Sequence, residues 1–171
     1  MKERELSAMK SGIRISAALI VGLAGLMAPA QMPAAHSISR AAAVEYLFPE
    51  QVTVPAGKPA AIMLHFRIAP GMHINSHTPA EEELIPTTFS IPDGAGVRLD
   101  GAVYPAGTDF HLPLDPKTKL SVYTGEFTIQ TRLVATPGDH LVEAKLRYQA
   151  CDNSSCMPPK TITVAIDVIG K

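Results

Sequence analysis

Hydrophobic and polar residues alternate with period two in four stretches of the chain. Ile62, Leu64, Phe66 and Ile68 take one parity while Ala61, Met63, His65 and Arg67 take the other, the signature of a half-buried strand. Phe127, Ile129, Thr131 and Leu133 repeat the pattern, as do Val142, Ala144, Leu146 and Tyr148, and then Ile162, Val164, Ile166 and Val168. Shorter candidates are Gln51 to Val54, Thr87 to Ile91, Val97 to Val103 and Leu120 to Tyr123, with "PAGK", "PDGAG", "YPAGTD" and "TPGD" as punctuation. These favour turns because proline fixes φ and glycine admits positive φ. About eight short strands separated by turns predict an all-β fold, an antiparallel β-sandwich of immunoglobulin type.

The N-terminus breaks this pattern. Lys2, Arg4, Lys10 and Arg14 precede an uncharged apolar run, "ISAALIVGLAGLMAPA", that ends in Ala28-Pro29-Ala30. A basic start, a short apolar stretch and small residues at the cut are the layout of a secretory signal peptide. The run is shorter than the roughly 20 residues of a membrane-spanning helix, which argues against an uncleaved anchor. Residues 1–30 are therefore expected to be a signal peptide. Residues 31–43, "QMPAAHSISRAAA", have no period and are expected to form a flexible tether. Residues 44–171 are expected to form one domain, because a remainder of about 140 residues leaves no room for a second core. Export places that domain in the periplasm or another oxidising compartment, where disulfides persist. After removal of the signal the net charge falls to about −3 with no basic cluster, which argues against nucleic acid as a partner.

The chain has two cysteines, Cys151 and Cys156, within "YQACDNSSCMPP". They fall between the strand ending near Gln149 and the strand beginning near Thr161, at the tip of a hairpin-like connection that Pro158 and Pro159 stiffen. Cys151 shares its parity with Glu143, Lys145, Arg147 and Gln149, so it is expected on the polar face unless a bulge intervenes. Such a local pair cannot pin two sheets together as the inter-sheet disulfide of antibody domains does. Three roles stand open: a staple, a metal claw and a redox switch. As a staple, closing so short a loop contributes roughly 2 kcal/mol in the chain-entropy model. Exposure and a short ring favour a bond that opens and closes.

A zinc site would want four ligands and closer cysteine spacing. Copper is the sharper metal candidate, since "GMHINSHT" offers Met72, His73 and His77 and "CM" offers Met157. His73 and His77 are spaced to share one face of a helix, which Pro70, Gly71 and Pro79 oppose. A blue-copper arrangement would require a histidine between cysteine and methionine, and "CDNSSCM" has none. No metal or other cofactor is therefore expected.

The segment "LRYQACDNSSCMPPKTITVAIDV", together with "PGMHINSHTPAEEELIPTTFSI" and "VYP" upstream, resembles the N-terminal periplasmic domain of the DsbD thiol:disulfide interchange family. The resemblance spans about Tyr46 to Val168. It implies an immunoglobulin-like domain whose redox pair, Cys151 and Cys156, receives electrons from a thioredoxin-like donor and passes them to periplasmic disulfide oxidoreductases. It further implies that Cys156 attacks the partner and Cys151 resolves the mixed disulfide. Arg147 and Lys160 are near enough in sequence to favour a thiolate. Tyr148, Gln149, Pro158 and Pro159 are expected to shape the loop, with Tyr148 on the core parity. Family members shield the disulfide with an acidic and an aromatic residue on a cap loop. Here the candidates are Asp109 and Phe110 in "AGTDFHLPLDPK", with Leu112 and Leu114 as substitutes. Met72, His73 and Asn75 replace aromatic residues that some members carry in the first loop, so the floor of the site differs. The family's membrane and thioredoxin-like domains are not in this sequence, which implies a separate electron donor such as a membrane electron transporter.

The expected function is thus a periplasmic thiol–disulfide relay, an oxidoreductase partner domain. The rivals are a non-enzymatic binding module with a structural disulfide and a copper-handling protein.

Overall fold

The computed structural model describes residues 42–47, 51–113 and 115–171. The expected signal peptide, and the expected tether up to residue 41, lie outside the described residues. The described residues belong to one compact unit, and no helix occurs among them.

Twelve strands are found among the described residues: β1 (Val44–Leu47), β2 (Gln51–Val54), β3 (Ala60–Ile68), β4 (His73–Asn75), β5 (Thr88–Ser90), β6 (Val97–Val103), β7 (Thr108–Leu112), β8 (Asp115–Tyr123), β9 (Glu126–Ala135), β10 (Gly138–Tyr148), β11 (Ala150–Cys151) and β12 (Lys160–Gly170). They form three sheets, ordered β1-β3-β9-β6, β2-β12-β10-β5 and β11-β4-β8-β7. The four alternating stretches of sequence are β3, β9, β10 and β12, the long strands of the first two sheets. Their inward parity places Leu64, Phe66, Ile129, Leu133, Val142, Leu146, Val164 and Ile166 in one core. Each such side chain contributes about 1.5–3 kcal/mol by leaving water. Thr131 interrupts the apolar row, and its hydroxyl donates to the Ile62 carbonyl at 3.2 Å, removing the cost of an unpaired buried polar group. Met63, on the opposite parity, is 53% exposed.

The sandwich is antiparallel as expected, with one exception. β2 runs parallel to β12, Gln51 facing Asp167 and Val54 facing Gly170. The chain leaves β1 in the first sheet, adds this edge strand to the second and returns for β3. Four residues of alternation carry no information about the direction of pairing.

The third sheet departs most from the expectation. The stretches read as loops, "GMHINSHT" and "AGTDFHLPLDPK", contain β4 and β7, and β8 begins at Asp115, well before Leu120. β4 shows no alternation because His73, Ile74 and Asn75 are all buried, covered on both faces. The prolines and glycine around β7 lie outside its paired residues, so Phe110 pairs with Leu120 and Asp109 with Ser121.

If the four long strands carry the stability, Ile129→Ala should cost about 2–5 kcal/mol and Met63→Ala less than about 0.5 kcal/mol. Urea unfolding followed by circular dichroism measures both.

Candidate functional site

The second sheet ends where the cysteine segment begins. β10 pairs with β12 as far as Tyr148 and Lys160, and after Gln149 the chain continues as β11 against β4. Ala150 faces Ile74 and Cys151 faces His73. This corrects the expectation for Cys151. It keeps the outward parity of Arg147 and Gln149, yet it is only 2% exposed, because β11 has changed sheets and β4 lies beside it. A change of sheet, rather than a bulge, accounts for the burial.

The two cysteines form a disulfide. The Met157 amide donates to the Ala150 carbonyl at 2.8 Å and the Asp152 amide to the Ser155 carbonyl at 2.9 Å. Cys151 and Cys156 therefore oppose each other at a non-hydrogen-bonded position, where paired side chains come closest, with Cα atoms 4.0 Å apart. Cys156 is exposed, so the bond joins a buried residue to an exposed one.

Asp152 fixes the turn between them. Its Oδ1 accepts from the Ser154 amide at 2.7 Å, the Ser154 hydroxyl at 2.8 Å and the Ser155 amide at 2.8 Å. Hydrogen bonding to the charged form favours it, and these donors hold the carboxyl down at about 2. An aspartate followed by serines is a recognised turn former, so this residue was open to identification in "CDNSSC".

Gln149, expected to shape the loop, ties three segments together. Its Oε1 accepts from the Asn75 side-chain amide at 3.1 Å and the Ile85 backbone amide at 3.4 Å, and its Nε2 donates to the Met157 carbonyl at 3.3 Å. Its own carbonyl accepts from the Asn75 amide at 3.3 Å. Tyr148 is buried in the core, as its parity predicts, and burial raises its hydroxyl pKa. Pro158 and Pro159 are exposed and, with Tyr148, Ala150, Met157 and Lys160, line a cleft of about 250 Å³. Arg147 lies on β10 opposite Thr161 and Lys160 opposite Tyr148.

A second cleft, about 500 Å³, opens beside the cysteine turn. Arg67, Gly71, Met72, His73, Phe110 and Asn153 are among the residues that line it. The two cap candidates sit on β7, not on a loop. Phe110 packs its ring on that of His73, the cross-strand neighbour of Cys151, with centroids 4.3 Å apart. Asp109 points to solvent and pairs with Lys119 at 2.9 Å. Leu112 ends β7 at a register shift opposite Asp115, and Leu114 lies outside the described residues.

The sequence placed His73 in the floor of the site but not directly beside Cys151, since a strand of three buried residues leaves no periodic trace. Burial lowers its pKa, and the nearby Asp152 carboxylate opposes that shift. Of the other copper candidates only Met72 lines the same cleft. The His77 ring stacks on Tyr104 at 3.7 Å and its Nδ1 meets the Thr87 carbonyl at 2.9 Å, while Met157 lines the smaller cleft. Among the described residues no three His, Cys, Asp or Glu side chains are placed to hold a metal ion.

Residues 43–168 match the family model described as thiol:disulfide interchange protein DsbD, N-terminal. The chain belongs to this family, and with its bonded cysteine pair it is a thiol–disulfide exchange domain. It is also similar to the reduced form of the Neisseria meningitidis DsbD N-terminal domain, at 18% identity and a TM-score of 0.46, over 67% of this chain and 82% of that one. The N-terminal periplasmic domain of ScsB from Proteus mirabilis is 13% identical with a TM-score of 0.49, over 72% of this chain and 44% of that one. No curated protein matches the chain significantly.

Two outcomes follow from this geometry. Because the Asp152 pKa is depressed, its contribution to the turn is complete above about 4 and is lost as pH falls through about 2. The Ser154 and Ser155 amide shifts should therefore titrate in NMR with a midpoint near that value rather than near an ordinary aspartate's. Gln149→Ala should cost about 1–3 kcal/mol in urea unfolding, by stranding its Asn75, Ile85 and Met157 partners.

Proposed function

We propose that the domain relays electrons by thiol–disulfide exchange through Cys151 and Cys156, between a thioredoxin-like donor and exported disulfide oxidoreductases. The observation that carries this is the asymmetry of the pair: Cys156 is exposed while Cys151 is 2% exposed. An attacking sulfur needs access to the partner, and a resolving sulfur needs only to reach its neighbour. Cys156 is the first role and Cys151 the second.

In the reduced domain the Cys156 thiolate attacks a partner disulfide. One partner sulfur leaves as a thiolate, and a mixed disulfide links Cys156 to the other. Cys151 then attacks Cys156, re-forms the intramolecular bond and releases the second partner thiol. Two electrons pass to the partner, and the reverse sequence reloads the domain from its donor. The turn fixed by Asp152 and the contacts of Gln149 keep both sulfurs opposed through the cycle, so little chain rearrangement is needed. Phe110, resting on His73, acts as the cap over the buried side of the pair. The basic, apolar N-terminal run supports export, and an oxidising compartment supports this chemistry.

The roles are tested by single-cysteine variants. Reduced Cys151→Ala, mixed with oxidised glutathione, should accumulate a mixed disulfide at Cys156, seen by mass spectrometry. Reduced Cys156→Ala should react at least about 100-fold more slowly, because its remaining thiol is shielded. Equal rates for the two variants would contradict the assignment.

A further inference from the structure

Exchange leaves one proton unaccounted for. When Cys151 attacks Cys156 in the mixed disulfide, its thiol must first lose a proton, and at 2% exposure water is a poor acceptor. The candidate acceptor is His73. It is the residue directly opposite Cys151 in the β4–β11 pair, and opposed residues of an antiparallel pair project from the same face with Cβ atoms about 4.5–5.5 Å apart. Its side chain is as buried as that of Cys151. Its ring is held by Phe110, and its Nε2 has no hydrogen-bond partner. Leaving a buried nitrogen unpaired is costly, which a residue that merely filled the space would not require.

We propose that His73 is the general base for the resolving cysteine, an inference that rests on the exchange reading above. The Cys151 thiol gives its proton to Nε2 of the neutral imidazole. The Cys151–Cys156 bond forms as the bond between Cys156 and the partner breaks, the partner leaves as a thiolate carrying the electron pair, and the imidazolium returns its proton to that thiolate or to water. In the reverse direction the same imidazolium protonates Cys151 as it leaves. Burial keeps the ring neutral and ready to accept, and the Asp152 carboxylate steadies the imidazolium once formed. The remaining charges around the cleft are committed elsewhere: Asp109 to Lys119 at 2.9 Å, and Arg67 to Glu126 at 2.8 Å.

The test uses the reduced chain and an excess of 5,5′-dithiobis(2-nitrobenzoate) in stopped flow. The first coloured thiolate reports attack by Cys156 and the second reports resolution by Cys151, with Cys151→Ala assigning the phases by abolishing the resolving one. In the unaltered protein the resolving phase should be nearly flat from about pH 6.5 to 8.5, since its base is already neutral there. In His73→Gln it should fall about 100-fold at pH 6.5 and rise about tenfold per pH unit towards the pKa of an ordinary thiol, while the first phase stays within about twofold. Identical resolving phases in the two proteins, or a tenfold-per-unit rise in the unaltered one, would overturn the assignment. Should His73→Gln fail to fold, the profile of the unaltered protein decides alone. Absence of any coloured release from the unaltered protein would instead remove the exchange reading itself, and the role of His73 with it.

Discussion

Gln149 holds the end of the second sheet, the first strand of the third and the return from the cysteine turn in one set of hydrogen bonds, with Asn75, Ile85 and Met157 as its partners. The geometry of the cysteines depends on that junction. Up to that junction β10 runs in its own sheet, with Arg147 facing solvent. Beyond it the chain passes to β4, Cys151 is covered, and Cys156 is left exposed. A single amide side chain, with donors and an acceptor to offer at once, thus links the fold to the difference in access between two sulfurs.

That difference makes more physical sense for chemistry than for stability. A loop this short contributes about 2 kcal/mol on closure, a small addition to a core that already joins residues of four long strands. The turn is also held independently of the bond, by Asp152 and by the two backbone hydrogen bonds that flank the pair. Opening the disulfide therefore leaves the surrounding hydrogen bonds in place. Both clefts are lined in part by residues of the cysteine segment.

The long strands were legible in the sequence because each has one buried and one open face, so period two survives in residues such as Ile62 to Ile68 and Val142 to Tyr148. Tyr148, Gln149 and the cysteine pair were legible through their motif, and the resemblance carried their roles. The third sheet was not. His73, Ile74 and Asn75 are buried on both faces and show no period. Thr108 to Leu112 is flanked by residues that usually signal a loop, and the parallel course of β2 leaves no mark in four residues. The parity of Cys151 was right and its burial wrong, since parity says which side a residue faces but not what lies there. His73 was legible as part of the floor of the site, but its place beside Cys151 came into view only with the pairing of β4 and β11.

The most direct test of the whole account is the reduction potential of the Cys151–Cys156 pair, obtained by equilibrating the protein in glutathione and dithiothreitol buffers and counting free thiols. A relay that both accepts and donates electrons requires a value between about −180 and −270 mV, among known exchange proteins. A value below about −300 mV, where structural disulfides lie, would contradict it and leave the bond as a staple.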